Sequence, residues 1–210
     1  MDSGLFLPGW GAPAALYAPA LPASWSVLEP PSFAVSGGTL APYRRWLELE
    51  LRGRGRSPLA GHSMGGALAI MVAADTPELV KRLVLIAPAG LPLDKPIRLS
   101  LRDFLRQLAS GDYPYRLAFG AMLALARAPR CAFALAEQVR KLDLRRECAR
   151  VRAAGIPTTV IGCATDTLVT PHRTRSLAAA LGAHYEEFDL RGGHMWMLAE
   201  RSRLATAVSS

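Results

Sequence analysis

No apolar stretch in this chain is long. Half of its 210 residues are hydrophobic, but Pro, Gly or a charge interrupts every run before the ~18 residues that a membrane-spanning helix needs. No membrane span is expected. No secretion signal is expected either: Met1-Asp2-Ser3-Gly4 has no basic start, and Pro8, Gly9, Gly11 and Pro13 break the residues that follow. The expectation is a cytoplasmic protein. Cysteine is scarce, with Cys131, Cys148 and Cys163 at unrelated spacings, no Cys-x-x-Cys and no histidine at ligand distance. That excludes a disulfide framework or a zinc site as the organising feature, and the three read as free and mostly buried thiols.

Lysine is also scarce. Lys81, Lys95 and Lys141 are the only ones, so the formal net charge of +8 is carried almost wholly by arginine spread along the chain. Such a charge raises nucleic acid as a partner. Without a basic block it reads as a compositional bias, or as attraction to acidic partners or substrates, and no nucleic acid is expected. The length allows one domain with a substantial core and is too short for two full ones.

What is present in force is a strand, a sharp turn and a helix around Gly61-His62-Ser63-Met64-Gly65-Gly66. Glycines two before and two after the serine let strand and helix approach without Cβ clashes while Ser63 takes a strained backbone conformation, as a nucleophile elbow requires. The Met64 amide opens the helix, where unpaired donors and the helix dipole favour negative charge, so it supplies half of an oxyanion hole. A Gly-x-Ser-x-Gly pentapeptide also arises in ordinary turns. What decides between the two is context: a strand before, a helix after, and an acid and a histidine further along.

The rest of the chain supplies that context. Residues 5–7 read as a short buried strand running into the tight Pro8-Gly9-Trp10-Gly11 loop, and residues 25–28 as the next strand, followed by a loop over 30–38. A helix is expected over 41–52, the elbow strand over 57–61 with its helix to 74, and a central strand over 80–87, rich in Leu, Val and Ile. From 91 to 142 strand signals stop: Ser100-x-x-Asp103 resembles a capping box, Leu101, Phe104, Leu105 and Leu108 form a stripe, and 115–126 is apolar on nearly every side. Residues 143–153 read as a helix, 158–162 as a β-branched strand, 171–181 as a helix and 185–190 as the last strand, before Arg191-Gly192-Gly193-His194-Met195 and a terminal helix. Alternating strands and helices imply a doubly wound α/β layer structure.

Together the elbow and the Pro8-Gly9-Trp10-Gly11 loop resemble the α/β-hydrolase superfamily, whose members commonly carry His-Gly-x-Gly after an early strand; Pro8 stands where the histidine usually is. The resemblance implies an α/β-hydrolase fold with a mostly parallel sheet. The usual first strands are lacking, which points to a reduced sheet or a late start and to an exposed edge at residues 5–7. It implies a core of 1–91 and 142–210 and a small helical cap of 92–141 over an apolar site. It also carries over a second oxyanion donor, the Trp10 amide, beside Met64. The family's histidine loop matches Gly193-His194, and its acid loop matches Asp166 in Asp166-Thr167-Leu168-Val169-Thr170-Pro171. Some members take the acid from the preceding loop, which here offers Asp94, and Asp189 lies at the end of the last strand. Asp166 alone sits at a strand end in the order Ser, Asp, His. Of the other histidines, His62 is expected to face away from the serine, His172 to cap a helix and His184 to begin a strand.

The chemistry follows from those roles. Ser63 attacks a carbonyl carbon, His194 takes its proton and later gives it to the leaving group, and Asp166 holds the imidazole tautomer. The expected protein is a serine esterase needing no metal or organic cofactor, acting on a small-molecule or acyl ester. The esterases of acyl chains on carrier proteins are similar, and an acidic carrier would suit arginines at 102, 106, 116, 127, 130 and 140. Thioester, lactone and C–C hydrolysis use the same triad, and a non-catalytic basic binding module is the alternative of another class.

Overall fold

The computed structural model describes residues 3–93, 95–96, 98–100, 102–103, 123 and 125–209. Its strands are β1 (Gly4–Leu7), β2 (Trp25–Val27), β3 (Ser57–His62), β4 (Val80–Ile86), β5 (Thr158–Cys163) and β6 (His184–Phe188). They form one six-stranded sheet in the order β2-β1-β3-β4-β5-β6. Every neighbouring pair is parallel. The sheet is flanked by helices on both faces.

Parallel strands covered on both faces need apolar side chains at consecutive positions, one set per face. Leu5 and Leu7 of β1, Leu59 of β3, Leu83 and Leu85 of β4 and Val160 of β5 point into one buried cluster. Phe6, Ala60, Val84, Ile86 and Ile161 point into the other. The first cluster is closed by α2 (Ala41–Arg54), α3 (Met64–Asp75), α5 (Arg145–Ala153) and α6 (Pro171–Leu181). The second is closed by α7 (Trp196–Ala199) and α8 (Arg201–Ser209), with Tyr17 and Leu16. α3 is apolar on every side because it is buried on nearly every side. Among the described residues no helix is long and apolar enough to cross a membrane.

The strand order reverses between β1 and β3: the chain runs from β1 outward to β2, then returns to build the sheet on the other side. In open α/β sheets the crevice at such a reversal, beyond the carboxyl ends of the strands, is where ligands bind. Here those ends lead into the Gly9 loop and Ser63.

Several expectations are corrected. Residues 5–7 are not an edge: β1 is interior and fully buried, because β2 pairs on its outer side and takes the exposed position. The segment 30–38 is not all loop, since α1 (Phe33–Ser36) lies within it, with Phe33 buried. Ser100 is no cap. Its amide already bonds the Pro96 carbonyl, which puts it inside the helix, and its Oγ finds no hydrogen-bond partner among the described residues. Asp103 instead meets Lys95 Nζ at 3.0 Å. His172 lies in the first turn of α6, whose cap position is Thr170. Of the proposed cap, α4 (Pro129–Arg140) is described; the stripe of Leu101, Phe104, Leu105 and Leu108, most of 115–126, and Asp94 lie outside the described residues.

Contact between β1, β3 and α3 is close enough to exclude side chains. A Cβ at Gly65 would collide with the carbonyl oxygens of Leu7 and Pro8, and one at Gly61 with the backbone of Gly65 and Gly66. These obstacles are main chain and do not yield as a flexible side chain would. Gly65→Ala is therefore expected to cost about 3 kcal/mol, the upper range of ordinary overpacking, read as a fall in the urea midpoint with an unchanged m-value.

Candidate active site

Ser63 joins β3 to α3 with φ 53° and ψ −116°, a conformation that a non-glycine residue rarely holds. It persists because both ends are fixed: the Ser63 amide bonds the Ile86 carbonyl at 3.0 Å, and its carbonyl accepts from Ala67 at 3.1 Å and Ala89 at 3.0 Å. Strain at an over-determined position is a mark of function. The following residue, Met64, is buried and opens α3, so its amide has no intrahelical acceptor.

Asp166 follows β5 in a turn closed by its own side chain. Oδ1 accepts from the amides of Leu168 at 2.8 Å and Val169 at 3.0 Å, which aims Oδ2 at His194 Nδ1, 2.7 Å away. Both side chains are buried, at 0% and 2% exposure. A carboxylate only accepts, so His194 carries its proton on Nδ1 and leaves Nε2 as the acceptor of the ring. His194 lies in a 3-10 turn, Gly193–Met195, entered through Gly192 and Gly193 at φ 98° and 53°.

One cavity brings these groups together. Ser63, His194, His62, Gly9 and Trp10 all line it, and its remaining walls are mainly apolar, including Leu93, Phe133, Val139, Leu168 and Met195. The Trp10 ring packs on Phe33, and its Nε1 donates to the Ala132 carbonyl of α4 at 3.1 Å, tying the loop after β1 to that helix. Gly9 lies so close that a Cβ there would stand 2.9 Å from His62 Nδ1 and 3.4 Å from Ser63 Cβ.

The structure thus gathers Ser63, Met64, Trp10, Asp166 and His194 at the strand ends. It leaves Asp189, His172 and His184 exposed and apart from this cavity. His62 also lines the cavity, where its hydrogen-bond partners are His194 and Tyr17. It is 1% exposed, and its ring stands 4.6 Å from that of His194. Burial first, and then the neighbouring His194, hold its imidazole well below the usual histidine range. The only sequence signal for it was its place beside Ser63. Tyr17, fully buried with its hydroxyl 2.9 Å from His62 Nδ1, carried none.

Likeness to known proteins extends over nearly all of the chain. A family model described as "Alpha/beta hydrolase family" matches residues 5–207. Among solved structures, a lipase-esterase related protein from Clostridium acetobutylicum is 16% identical with a TM-score of 0.77, over 98% of this chain and 92% of that one. An esterase from Exiguobacterium antarcticum is 15% identical with a TM-score of 0.76, over 100% and 94%. The enol-lactonase from Burkholderia xenovorans is 20% identical with a TM-score of 0.75, over 100% and 92%. At such identities the likeness is one of fold. No curated protein matches the chain.

Proposed function

The chain belongs to the alpha/beta hydrolase family, and from that premise we propose that it is a serine hydrolase cleaving a carboxylic ester through an acyl-enzyme. The observation that carries the reading is the buried Asp166–His194 pair, 2.7 Å apart, opening on the same cavity as a serine at φ 53°. With Nδ1 held by Asp166, His194 Nε2 takes the proton of Ser63 Oγ as that oxygen bonds the carbonyl carbon. The tetrahedral oxyanion is received by the amides of Met64 and Trp10. His194 then gives its proton to the departing alkoxide, leaving the acyl group on Ser63. A water molecule repeats the sequence: His194 takes its proton, its oxygen bonds the acyl carbon, and the proton returns to Ser63 as the carboxylic acid leaves.

The apolar walls support an acyl or alkoxy portion without charge. Presentation of that portion on an acidic carrier is the finer version of this reading. The exposed Arg127 and Arg130 support it, whereas Arg140 is committed to Glu137 and to the carbonyls of Leu93 and Lys95.

Treatment with a fluorophosphonate tests the chemistry. The parent protein is expected to take up one label, mapped to Ser63, and Ser63→Ala none; equal labelling of the two would remove Ser63 as nucleophile. A panel of p-nitrophenyl acyl esters beside matched thioesters and a carrier-bound methyl ester then fixes the class of bond.

A further inference from the structure

His62 takes no part in the proton transfers above, yet it is a fully buried polar side chain at the centre of the site. Its Nε2 lies 3.0 Å from the backbone carbonyl of His194, its Nδ1 2.9 Å from Tyr17 Oη, and Tyr17 Oη 3.4 Å from the Gly9 amide. The directions of these bonds follow from the groups themselves. A carbonyl only accepts, so His62 Nε2 carries the proton; a neutral imidazole has one N–H, so Nδ1 accepts; Tyr17 Oη–H therefore donates to it. The Tyr17 oxygen then accepts from the Gly9 amide. A single file of hydrogen bonds runs from the loop after β1, through Tyr17 and His62, to the main chain of residue 194.

We propose that His62 is a positioning residue, a clamp that fixes the backbone of the base loop with one ring nitrogen and, through Tyr17, the oxyanion loop with the other. This rests on the serine-hydrolase reading above. The fold gives the clamp its leverage: His62 is the last residue of β3 and the neighbour of Ser63, so nucleophile, base loop and oxyanion loop are all referred to one ring. The base loop has need of it, because its entry through two left-handed glycines supplies little rigidity of its own. Neutrality suits the position too, since a cation there would face the imidazolium that His194 becomes during turnover.

Four variants separate the two arms. His62→Phe keeps a ring and removes both hydrogen bonds; His62→Gln keeps an amide N–H near the Nε2 position, toward His194; His62→Asn keeps an acceptor near Nδ1, toward Tyr17; Tyr17→Phe cuts the oxyanion arm from its far end. Each is measured as kcat and KM on a p-nitrophenyl ester, normalised to folded protein by urea titration, and by the downfield proton resonance of the His194 Nδ1–H. Displacing a catalytic group by about 1 Å costs roughly 10²-fold, so kcat of His62→Phe is expected to fall about 10²-fold with KM within about twofold, and its downfield proton to broaden through exchange. His62→Gln should recover the resonance and part of kcat. Adding Tyr17→Phe to His62→Phe should cost less than Tyr17→Phe costs in the parent, since His62→Phe has already cut Tyr17 from the base loop and only the Gly9 bond is left to lose.

Parental kcat and a parental resonance in folded His62→Phe would overturn the clamp. Should His62→Phe not fold, the same result in Tyr17→Phe together with His62→Asn overturns it. Failure of the hydrolase reading looks different: the parent would take no fluorophosphonate and turn over no ester, while the resonance would still report whether His62 holds the base loop.

Discussion

Alanine at Ser63 will lower kcat by ~10⁶-fold, and alanine at His194 by about as much, because neither half of the attack operates without the other. Ser63→Ala is a clean test of chemistry. It preserves the Cβ, and the fold already holds an alanine at positive φ, Ala87 at 40°, at the end of the adjoining strand. No new strain is created, so the protein should unfold at the parental urea concentration while turnover vanishes. The double variant should be no worse than either single one, since residues acting as a unit are lost once. Steady-state hydrolysis of a p-nitrophenyl ester measures all three. Turnover of His194→Ala within tenfold of the parent would take that residue out of the site.

Asp166→Asn is expected to cost ~10⁴-fold in kcat while hardly changing stability. The reason lies in the turn around residue 166. Oδ1 accepts two backbone amides, from Leu168 and Val169, and Oδ2 accepts from His194. An asparagine keeps the first pair only by placing its oxygen there, which turns its NH2 toward His194 Nδ1. That nitrogen must then accept, so the ring proton moves to Nε2, where it blocks removal of the serine proton. Flipping the amide would restore the tautomer and leave two buried backbone donors facing an NH2, at about 1–3 kcal/mol each. The wrong tautomer wins. A full pH–rate profile checks this: activity should stay low across the neutral range and recover only where hydroxide replaces the base. Parental activity near neutral pH would show that Asp166 does not orient the imidazole.

How much of this was legible in one dimension depended on range. The elbow is written in five consecutive residues because its constraints are local: a strained serine and the glycines that let a strand and a helix touch. Asp166 and His194 could be named because each follows a strand signal in a set order, and the structure brings their side chains together. The α/β class was legible from the recurrence of apolar strands and helical patterns, and the family match agrees with it. Mistakes fell where neighbours in space are distant in sequence. Residues 5–7 look like an exposed edge because the strands that usually precede them are lacking, and only the folded sheet shows β2 pairing on that side. Ser100 and Asp103 have capping-box spacing, but the helix begins earlier and Lys95 claims the aspartate.

Sequence by itself singled out Ser63, Asp166 and His194 as candidates for chemistry, since reactivity and backbone strain are properties of a residue and its nearest chain neighbours. Tertiary structure alone decided how they are held. His62 meets Tyr17 across 45 positions and the carbonyl of His194 across 132, and no periodicity encodes a hydrogen bond between loops brought together only by the order of strands in a sheet. Burial did the rest. Away from water a neutral imidazole must place its one proton and its one lone pair on partners of the opposite kind, and only the packed fold shows which partners those are.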